Sequence, residues 1–201
     1  VLHPSLTWEP DNKQLAISST NGGFDVITII DAETEKSFEL PFKLIGIESV
    51  NWSRDGKKLA FIGQNSIQSD IYIYDFTTQQ ITNLTDDIYS EAEPVWTPDG
   101  KKIIFSSDRG SHLTQTVPTV DFDMYLHNYK QLDLYSIDID DKKIDRITDW
   151  DLSNEKYASV SADGKEIIFV SDRNGINNIY RKKIKSSDLD SVKSSLEYSA
   201  T

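Results

Sequence analysis

Short apolar stretches separated by polar turns run along the whole chain, and their pattern predicts β-strands. Residues 103–105 and 167–169 are apolar on both faces, as expected of strands inside a layered structure. Residues 71–74 alternate isoleucine with tyrosine, which also favours a strand. Residues 143–148 are short and more polar, which suits an outer edge strand. The pattern therefore predicts an all-β protein.

The predicted strands belong to a repeat. Tryptophans stand 44 residues apart at Trp8, Trp52 and Trp96, and each is followed by a turn and an apolar strand. The copies read LTWEPDNKQLAIS, VNWSRDGKKLAFI and PVWTPDGKKIIFS. A fourth copy, ASVSADGKEIIFV, has Val160 in the tryptophan position, 64 residues after Trp96. The Asp-Gly pairs in these segments are turn chemistry and not metal ligands.

A second landmark lies in the later half of each copy. It reads Asp-Ile-Tyr at residues 70–72, Asp-Leu-Tyr at 133–135 and Asn-Ile-Tyr at 178–180, and more weakly Asp-Val-Ile at 25–27. It lies 17, 18, 37 and 18 residues after the tryptophan position in the four copies. The third copy therefore contains an insertion, within residues 111–131, between its second and third strands.

Four-stranded units of this length, repeated in tandem, predict a β-propeller. The blades would cover residues 1–44, 45–87, 88–150 with the insertion at 111–131, and 151–201. We expect the tryptophans to pack in the core together with Phe61, Phe105 and Phe169. The fourth strand of the last copy is poorly matched, so we expect part of a larger propeller or an incompletely closed one.

The repeat resembles the TolB-like propeller family. The segments that carry the resemblance are EPVWTPDGKKIIFSSDRG with LDLYSIDI and DRITD, VNWSRDGKKLAFI with SDIYIYDF and TNLTDD, and SADGKEIIFVSDRNG with NNIYRKKI. The resemblance spans about residues 4–184 and implies an exported bacterial protein that binds other envelope proteins. Related propellers precede the catalytic domains of prolyl-oligopeptidases and tricorn-type peptidases. Family members usually have six or more blades, whereas only four copies are present here.

Composition narrows the function further. A net charge of −12 argues against nucleic-acid and polybasic membrane contacts, and the absence of cysteine excludes disulfides and thiolate chemistry. No apolar run is long enough to span a bilayer. The chain starts at Val1 without a leader pattern, so we expect a removed signal peptide or a chain cut from a longer one. Neither Gly-x-Ser-x-Gly nor His-Glu-x-x-His occurs, so we expect no enzymatic activity in this chain.

The insertion is the first candidate binding segment, because long loops on rigid scaffolds often carry function. The alternative is that its aromatic residues pack on the blade rim. Its candidate residues are Asp121, Asp123, Tyr125, His127 and Tyr129.

Two loops at equivalent places in copies three and four contain Ser-Asp-Arg and form the second candidate. Asp108 and Arg109, with Asp172 and Arg173, would bind a peptide or a cation. The favoured alternative is structural: the aspartate caps its turn and the arginine pairs with a neighbouring blade. We expect no cofactor, with calcium at the acidic turn 138–141 as a minor option.

These observations predict a non-catalytic protein-binding propeller of a bacterial envelope protein, periplasmic or exported. Its partners would be a protein or peptide, with the remaining blades or domains of a larger parent chain, and neither nucleic acid nor the membrane. The alternative is a substrate-gating propeller of a peptidase whose catalytic domain is absent from this chain.

Overall fold

The computed structural model describes residues 5–65, 68–115 and 127–184. All the regular secondary structure in these residues is β-strand. The chain divides into two compact units, residues 1–86 and 87–201. The first unit contains β1 (Leu6–Trp8), β2 (Gln14–Asn21), β3 (Phe24–Asp31), β4 (Ser37–Glu39), β5 (Gly46–Trp52), β6 (Lys58–Gln64), β7 (Ser69–Asp75) and β8 (Gln80–Asn83). The second contains β9 (Glu91–Trp96), β10 (Lys102–Ser107), β11 (Asp133–Asp138), β12 (Ile144–Arg146), β13 (Glu155–Val160), β14 (Glu166–Ser171) and β15 (Asn178–Lys183).

Each unit contains two antiparallel sheets whose strands follow chain order. The sheets are β1–β4 and β5–β8 in the first unit, and β9–β12 and β13–β15 in the second. The last sheet has three strands in the described part of the chain. The insertion separates β10 from β11, the second and third strands of its sheet, as predicted. The sequence repeat is therefore a repeat of one four-stranded unit.

The Asp-Gly turns join the first and second strands of three sheets. In the turn between β9 and β10, Asp99 Oδ1 accepts hydrogen bonds from Lys101 N at 3.1 Å and Thr97 Oγ1 at 2.7 Å. Gly100 has a φ of 69°, a conformation that costs glycine little. Asp55 and Asp163 accept the same bonds in the other two turns. These aspartates serve the turns, as predicted.

A phenylalanine–tyrosine pair fixes the register of the second and third strands. Phe61 faces Tyr72, Phe105 faces Tyr135 and Phe169 faces Tyr180. In the first sheet the same positions are Ile17 and Thr28.

The register of the first sheet corrects the sequence alignment by one residue. Val26, and not Asp25, occupies the aspartate position, so the offset from Trp8 is 18 residues. Leu40 N bonds Ile27 O at 2.8 Å, as Leu84 N bonds Ile71 O at 2.7 Å. The hydrophobic pattern was ambiguous here because residues 26, 27, 29 and 30 are all aliphatic.

The core of the first unit lies between its two sheets. Ala16, Ile27 and Ile29 from one sheet pack in a cluster with Leu59 and Phe61 from the other. Trp52 is buried, and its ring stacks on Phe76 with centroids 4.9 Å apart. Trp8 is 51% exposed, so the prediction of a core position was wrong for this tryptophan.

The core of the second unit is built in the same way. Ile104 and Leu134 pack in a cluster with Ile167, Phe169 and Tyr180 of the last sheet. Alternation along β14 then places Ile168 on the opposite face, where it is 47% exposed. The prediction that β14 is buried on both faces was therefore wrong at this residue.

Candidate functional site

The two Ser-Asp-Arg loops follow β10 and β14, and each is tied to the start of the first strand of its own sheet. Asp108 Oδ1 accepts a hydrogen bond from Ser90 N at 2.9 Å. Asp172 accepts from Asn154 N at 2.7 Å and from Asn154 Nδ2 at 3.1 Å. The Asn154 donors hold the pKa of Asp172 below its ordinary value. The aspartates thus fasten the loops to the scaffold.

Arg109 lies in the loop that follows β10, and its side chain is completely buried. Its Nη2 is 2.6 Å from Glu91 Oε1 and 3.1 Å from Asp87 Oδ2. Burial opposes the charged guanidinium, but the two carboxylates outweigh it and raise the pKa of Arg109 above its ordinary value. Glu91 Oε1 also accepts from Ser107 Oγ at 3.1 Å.

Three aromatic rings surround the Arg109 guanidinium. Its carbon lies 5.4 Å from the ring centre of Tyr89, 5.5 Å from that of Phe105 and 5.8 Å from that of Tyr135. Contacts of this kind add to the ion pairs in a desolvated setting. Tyr135 Oη donates to Gly110 O at 2.7 Å, which holds the loop closed over the cluster. Arg109 is therefore inaccessible to a partner that binds at the protein surface.

Two histidines flank Tyr89 at the two ends of the insertion. The ring of His112 lies 5.3 Å from that of Tyr89, and the ring of His127 lies 5.5 Å from it. His127 Nε2 is also 3.3 Å from Asp108 Oδ2. Both ends of the insertion therefore return to one cluster, which we call the Arg109 cluster: Asp87, Tyr89, Glu91, Asp108 and Arg109, which are buried, His127, which is half-buried, and His112, which is exposed.

Arg173, the counterpart of Arg109, is exposed. Its guanidinium carbon lies 4.0 Å above the ring of Trp150 and 5.8 Å from the ring centre of Tyr180. Stacking on an indole orients the guanidinium. This side chain is the accessible cation of the two loops.

The predicted site residues fall into three groups. Asp108, Arg109 and His127 come together in the Arg109 cluster, and Asp172 with Arg173 forms a separate loop. Tyr129 is 63% exposed, with Lys130 Nζ 5.8 Å from its ring centre. Asp121, Asp123 and Tyr125 lie outside the described residues.

Sequence reasoning missed the buried acids that accompany the loops. Glu91 stands five residues before Trp96, and Glu155 stands five residues before Val160. The second copy has Ile47 at this position and also has no Ser-Asp-Arg. Glutamate and Ser-Asp-Arg occur together in the same copies, and this joint occurrence could have predicted the buried acids from the sequence.

Glu155 belongs to a second buried acidic pair. Its Oε1 accepts from Ser171 Oγ at 2.7 Å and from Ser153 Oγ at 2.8 Å. Burial and the neighbouring Asp133 raise the pKa of the Glu155 carboxyl. Burial also raises the pKa of Asp133, although Arg146 Nη2 lies 2.6 Å from its Oδ2 and opposes the shift.

The acidic turn, metal ligation and membrane insertion are the remaining possibilities. The acidic turn 138–141 is a turn in which Asp138 Oδ1 accepts from Asp140 N at 2.9 Å. Among residues 5–65, 68–115 and 127–184 no group of three or more His, Asp and Glu side chains is arranged to hold a metal ion. No helix in that part of the chain is long and apolar enough to cross a membrane.

Repeated four-stranded antiparallel sheets with apolar residues packed between neighbours define the class of β-propeller proteins. Within that class, the TolB beta propeller domain matches residues 2–115. The chain therefore belongs to the TolB β-propeller family. No curated protein matches the sequence at a significant level.

Solved structures share the propeller fold. TolB from Acinetobacter baumannii is 26% identical with a TM-score of 0.70, over 90% of this chain and 42% of that one. A putative TolB from Agrobacterium tumefaciens is 20% identical with a TM-score of 0.72, over 96% of this chain and 63% of that one. A puromycin-hydrolysing peptidase from Mycobacterium tuberculosis is 12% identical with a TM-score of 0.66, over 92% of this chain and 30% of that one. The chain thus spans less than two thirds of each of these proteins.

Proposed function

We propose that this chain is a non-catalytic protein-binding module of a bacterial envelope protein. The observation that carries the proposal is the Arg109 cluster, which anchors both ends of a long insertion on a rigid base. Loops that bind partners are commonly held in this way by the scaffold beneath them. Tyr129 and Arg173 add an exposed aromatic ring and an oriented cation, two residue types favoured in protein interfaces.

The ion pairs oppose opening of the loop. Arg109 is shared by Asp87 and Glu91, so opening the loop would leave two buried carboxylates without their cation. Breaking a buried pair in this way typically costs about 3–5 kcal/mol. The insertion can therefore be exchanged or shortened while its two ends stay in place.

A loop exchange tests the proposal. The rings of His112 and His127 both contact Tyr89 and lie within about 11 Å of each other, a gap that about six Gly-Ser residues span. Replacing residues 113–126 by such a linker keeps the Arg109 cluster. We expect envelope proteins cross-linked to the original chain and identified by mass spectrometry to be lost from the exchanged chain.

The control is Glu33→Gln, an exposed substitution in the first unit that leaves the insertion and the Arg109 cluster unchanged. Retention of the same cross-linked partners by the exchanged chain, or the absence of any specific partner, would contradict the proposal. Circular dichroism of both variants checks that loss of binding does not reflect loss of fold.

A second candidate function is a substrate-gating propeller of a peptidase. Prolyl endopeptidases and puromycin hydrolase are among the similar structures, with 16% and 12% identity and with 28% and 30% of their chains covered. Identities at this level support a common fold. The complete gene decides, because a flanking hydrolase domain with a nucleophile elbow would support gating and exclude the envelope module.

We further propose that the protein is exported to the periplasm, as the resemblance to TolB implies. The supporting observation is membership of the TolB family over residues 2–115. Fractionation of the native host with an antibody against this chain tests it, and recovery only in the cytoplasmic fraction would contradict it.

A further inference from the structure

Two Asn-Gly pairs occur in the sequence, at residues 21–22 and 174–175. In such a pair the backbone nitrogen of the glycine can attack the side-chain amide carbon of the asparagine, because glycine has no Cβ to obstruct the approach. Both asparagines and both glycines are exposed. The two pairs differ in what holds the attacking nitrogen.

The first pair lies at the tip of the hairpin that joins β2 and β3. Asn21 is the last residue of β2 and is paired with Phe24, so Gly22 and Gly23 form a two-residue turn. Their φ angles are 66° and 86°, and a Cβ at Gly22 would meet no atom within 4 Å beyond its chain neighbours. In the described part of the chain no acceptor bonds Gly22 N, so this nitrogen is available to react.

The second pair lies in the loop between β14 and β15. There Gly175 N donates to Asp172 O at 2.7 Å. A backbone N–H that is held by a carbonyl must leave that bond before it can lose its proton, as in hydrogen exchange. The fold therefore protects Asn174 and leaves Asn21 open to the reaction.

We propose that Asn21 is a site of spontaneous deamidation, with water as the co-reactant. Gly22 N loses its proton and bonds to Asn21 Cγ, and the side-chain nitrogen leaves as ammonia, which gives a cyclic imide. Water then opens the imide: cleavage of the Cγ–N bond gives aspartate, and cleavage at the backbone carbonyl carbon gives isoaspartate. The amide and water thus become a carboxylate and ammonium, without oxidation or reduction.

The product would change the surroundings of the hairpin. Asn21 Nδ2 donates to Glu39 Oε1 at 2.8 Å, and after the reaction a new carboxylate would face this one, where like charges repel. Isoaspartate also adds Cβ to the main chain, which disturbs the pairing of residue 21 with Phe24. The modification would therefore loosen one hairpin of the first unit. It is separate from the Arg109 cluster and the insertion, so its failure would leave the proposed function untouched.

Incubation of the whole chain at mildly alkaline pH tests the proposal. Peptides are released by pepsin at acidic pH, where the reaction is suppressed, and analysed by mass spectrometry, since deamidation adds about 1 Da. We expect conversion at Asn21 to be about tenfold faster than at Asn174, because Gly175 N must first leave its bond to Asp172 O. In urea the two rates should become equal, since each asparagine then precedes a glycine in an open chain.

Substitutions give the complementary test. Asn21→Gln keeps the amide but disfavours ring closure, because its side chain is one methylene longer. We expect this variant to lose the fast conversion and to keep the slow conversion at Asn174. Asn174→Gln is the matched control, and it should leave the rate at Asn21 unchanged. Equal rates at the two asparagines in the folded protein, or an Asn21 that stays unmodified while the urea-unfolded chain converts, would overturn the proposal.

Discussion

Two arginines in the same motif have opposite environments, and the residues around them explain why. Arg109 pairs with Asp87 and Glu91 inside the protein. Glu91 accepts one serine hydrogen bond, from Ser107, whereas Glu155 in the next copy accepts two, from Ser153 and Ser171. Arg173 therefore stacks on Trp150 at the surface. One sequence motif thus supplies a structural cation in one copy and an accessible cation in the other.

Replacing the buried arginine should be far more costly than replacing the exposed one. In Arg109→Met the carboxylates of Asp87 and Glu91 lose their cation inside the protein, and we expect a loss of about 3–5 kcal/mol in the free energy of unfolding. In Arg173→Met the indole contact is kept as an apolar one, and we expect a loss below about 1 kcal/mol. Urea unfolding followed by tryptophan fluorescence measures both; equal losses would show that the Arg109 cluster is not a structural anchor.

The buried Glu155 should make stability depend on pH. Its pKa in the folded protein is raised by burial and by Asp133, so the folded state holds a proton that the unfolded state releases. The stability from this group is fully present below the ordinary pKa of 4.5 and is lost as the pH rises through the folded value. Glu155→Gln keeps the shape without the charge, so we expect its stability relative to the original chain to increase as the pH rises above 4.5.

The matched control for this experiment is Glu33→Gln, since Glu33 is exposed. Both variants and the original chain are compared over one pH series of thermal unfolding experiments, so that a pH dependence shared by the two substitutions is not assigned to Glu155. A constant difference between Glu155→Gln and the original chain would show that the Glu155 carboxyl has no raised pKa.

At the scale of elements, local sequence patterns predicted the strands and turns. The elements that pack against a strand determine which of its residues are buried. The tryptophan spacing and the Asp-Gly turns gave the order of strands within each sheet. Ile168 escaped prediction because its repeat position is covered only when another sheet packs beside it, as Ile167 and Phe169 cover Ile104. Trp8 escaped prediction because Trp52 is covered by Phe76 of its own sheet, whereas the first copy has Ala32 at that position. Arg109 escaped because its burial depends on Asp87 and Glu91, which are distant in sequence. Periodicity reports which face a residue is on, and neighbouring elements decide whether that face is covered.

Equivalent isoleucines in β10 and β14 offer a direct comparison. Ile104 is fully buried in the cluster with Ile167 and Phe169, whereas Ile168 is 47% exposed. We expect Ile104→Ala to lower the free energy of unfolding by about 2–5 kcal/mol, because it removes buried methyl groups and leaves a cavity. Ile168→Ala should cost less than about 1 kcal/mol. Similar losses in chemical unfolding would mean that the outer face of the last sheet is covered.

At the scale of the whole molecule, two opposing properties determine association. The last sheet exposes Tyr157, Ile168, Ile176 and Ile179, and exposed apolar groups of this size favour contact with other surfaces. The net charge of −12 opposes contact between copies. Because charge repulsion is screened over about 10 Å at 0.1 M salt and about 3 Å at 1 M, added salt should shift this balance.

We therefore expect concentration-dependent self-association that increases between about 0.05 and 0.5 M salt, the range over which screening becomes effective. Sedimentation velocity measures it, and the double variant Ile168→Thr and Ile179→Thr should reduce it because the face loses apolar surface. Trp8→Ser is the comparison, since Trp8 is an exposed aromatic residue of the other unit. If only Trp8→Ser reduced association, the first unit and not the last sheet would carry the adhesive surface. If added salt instead dissociated the complexes, charge attraction rather than apolar contact would hold the copies together.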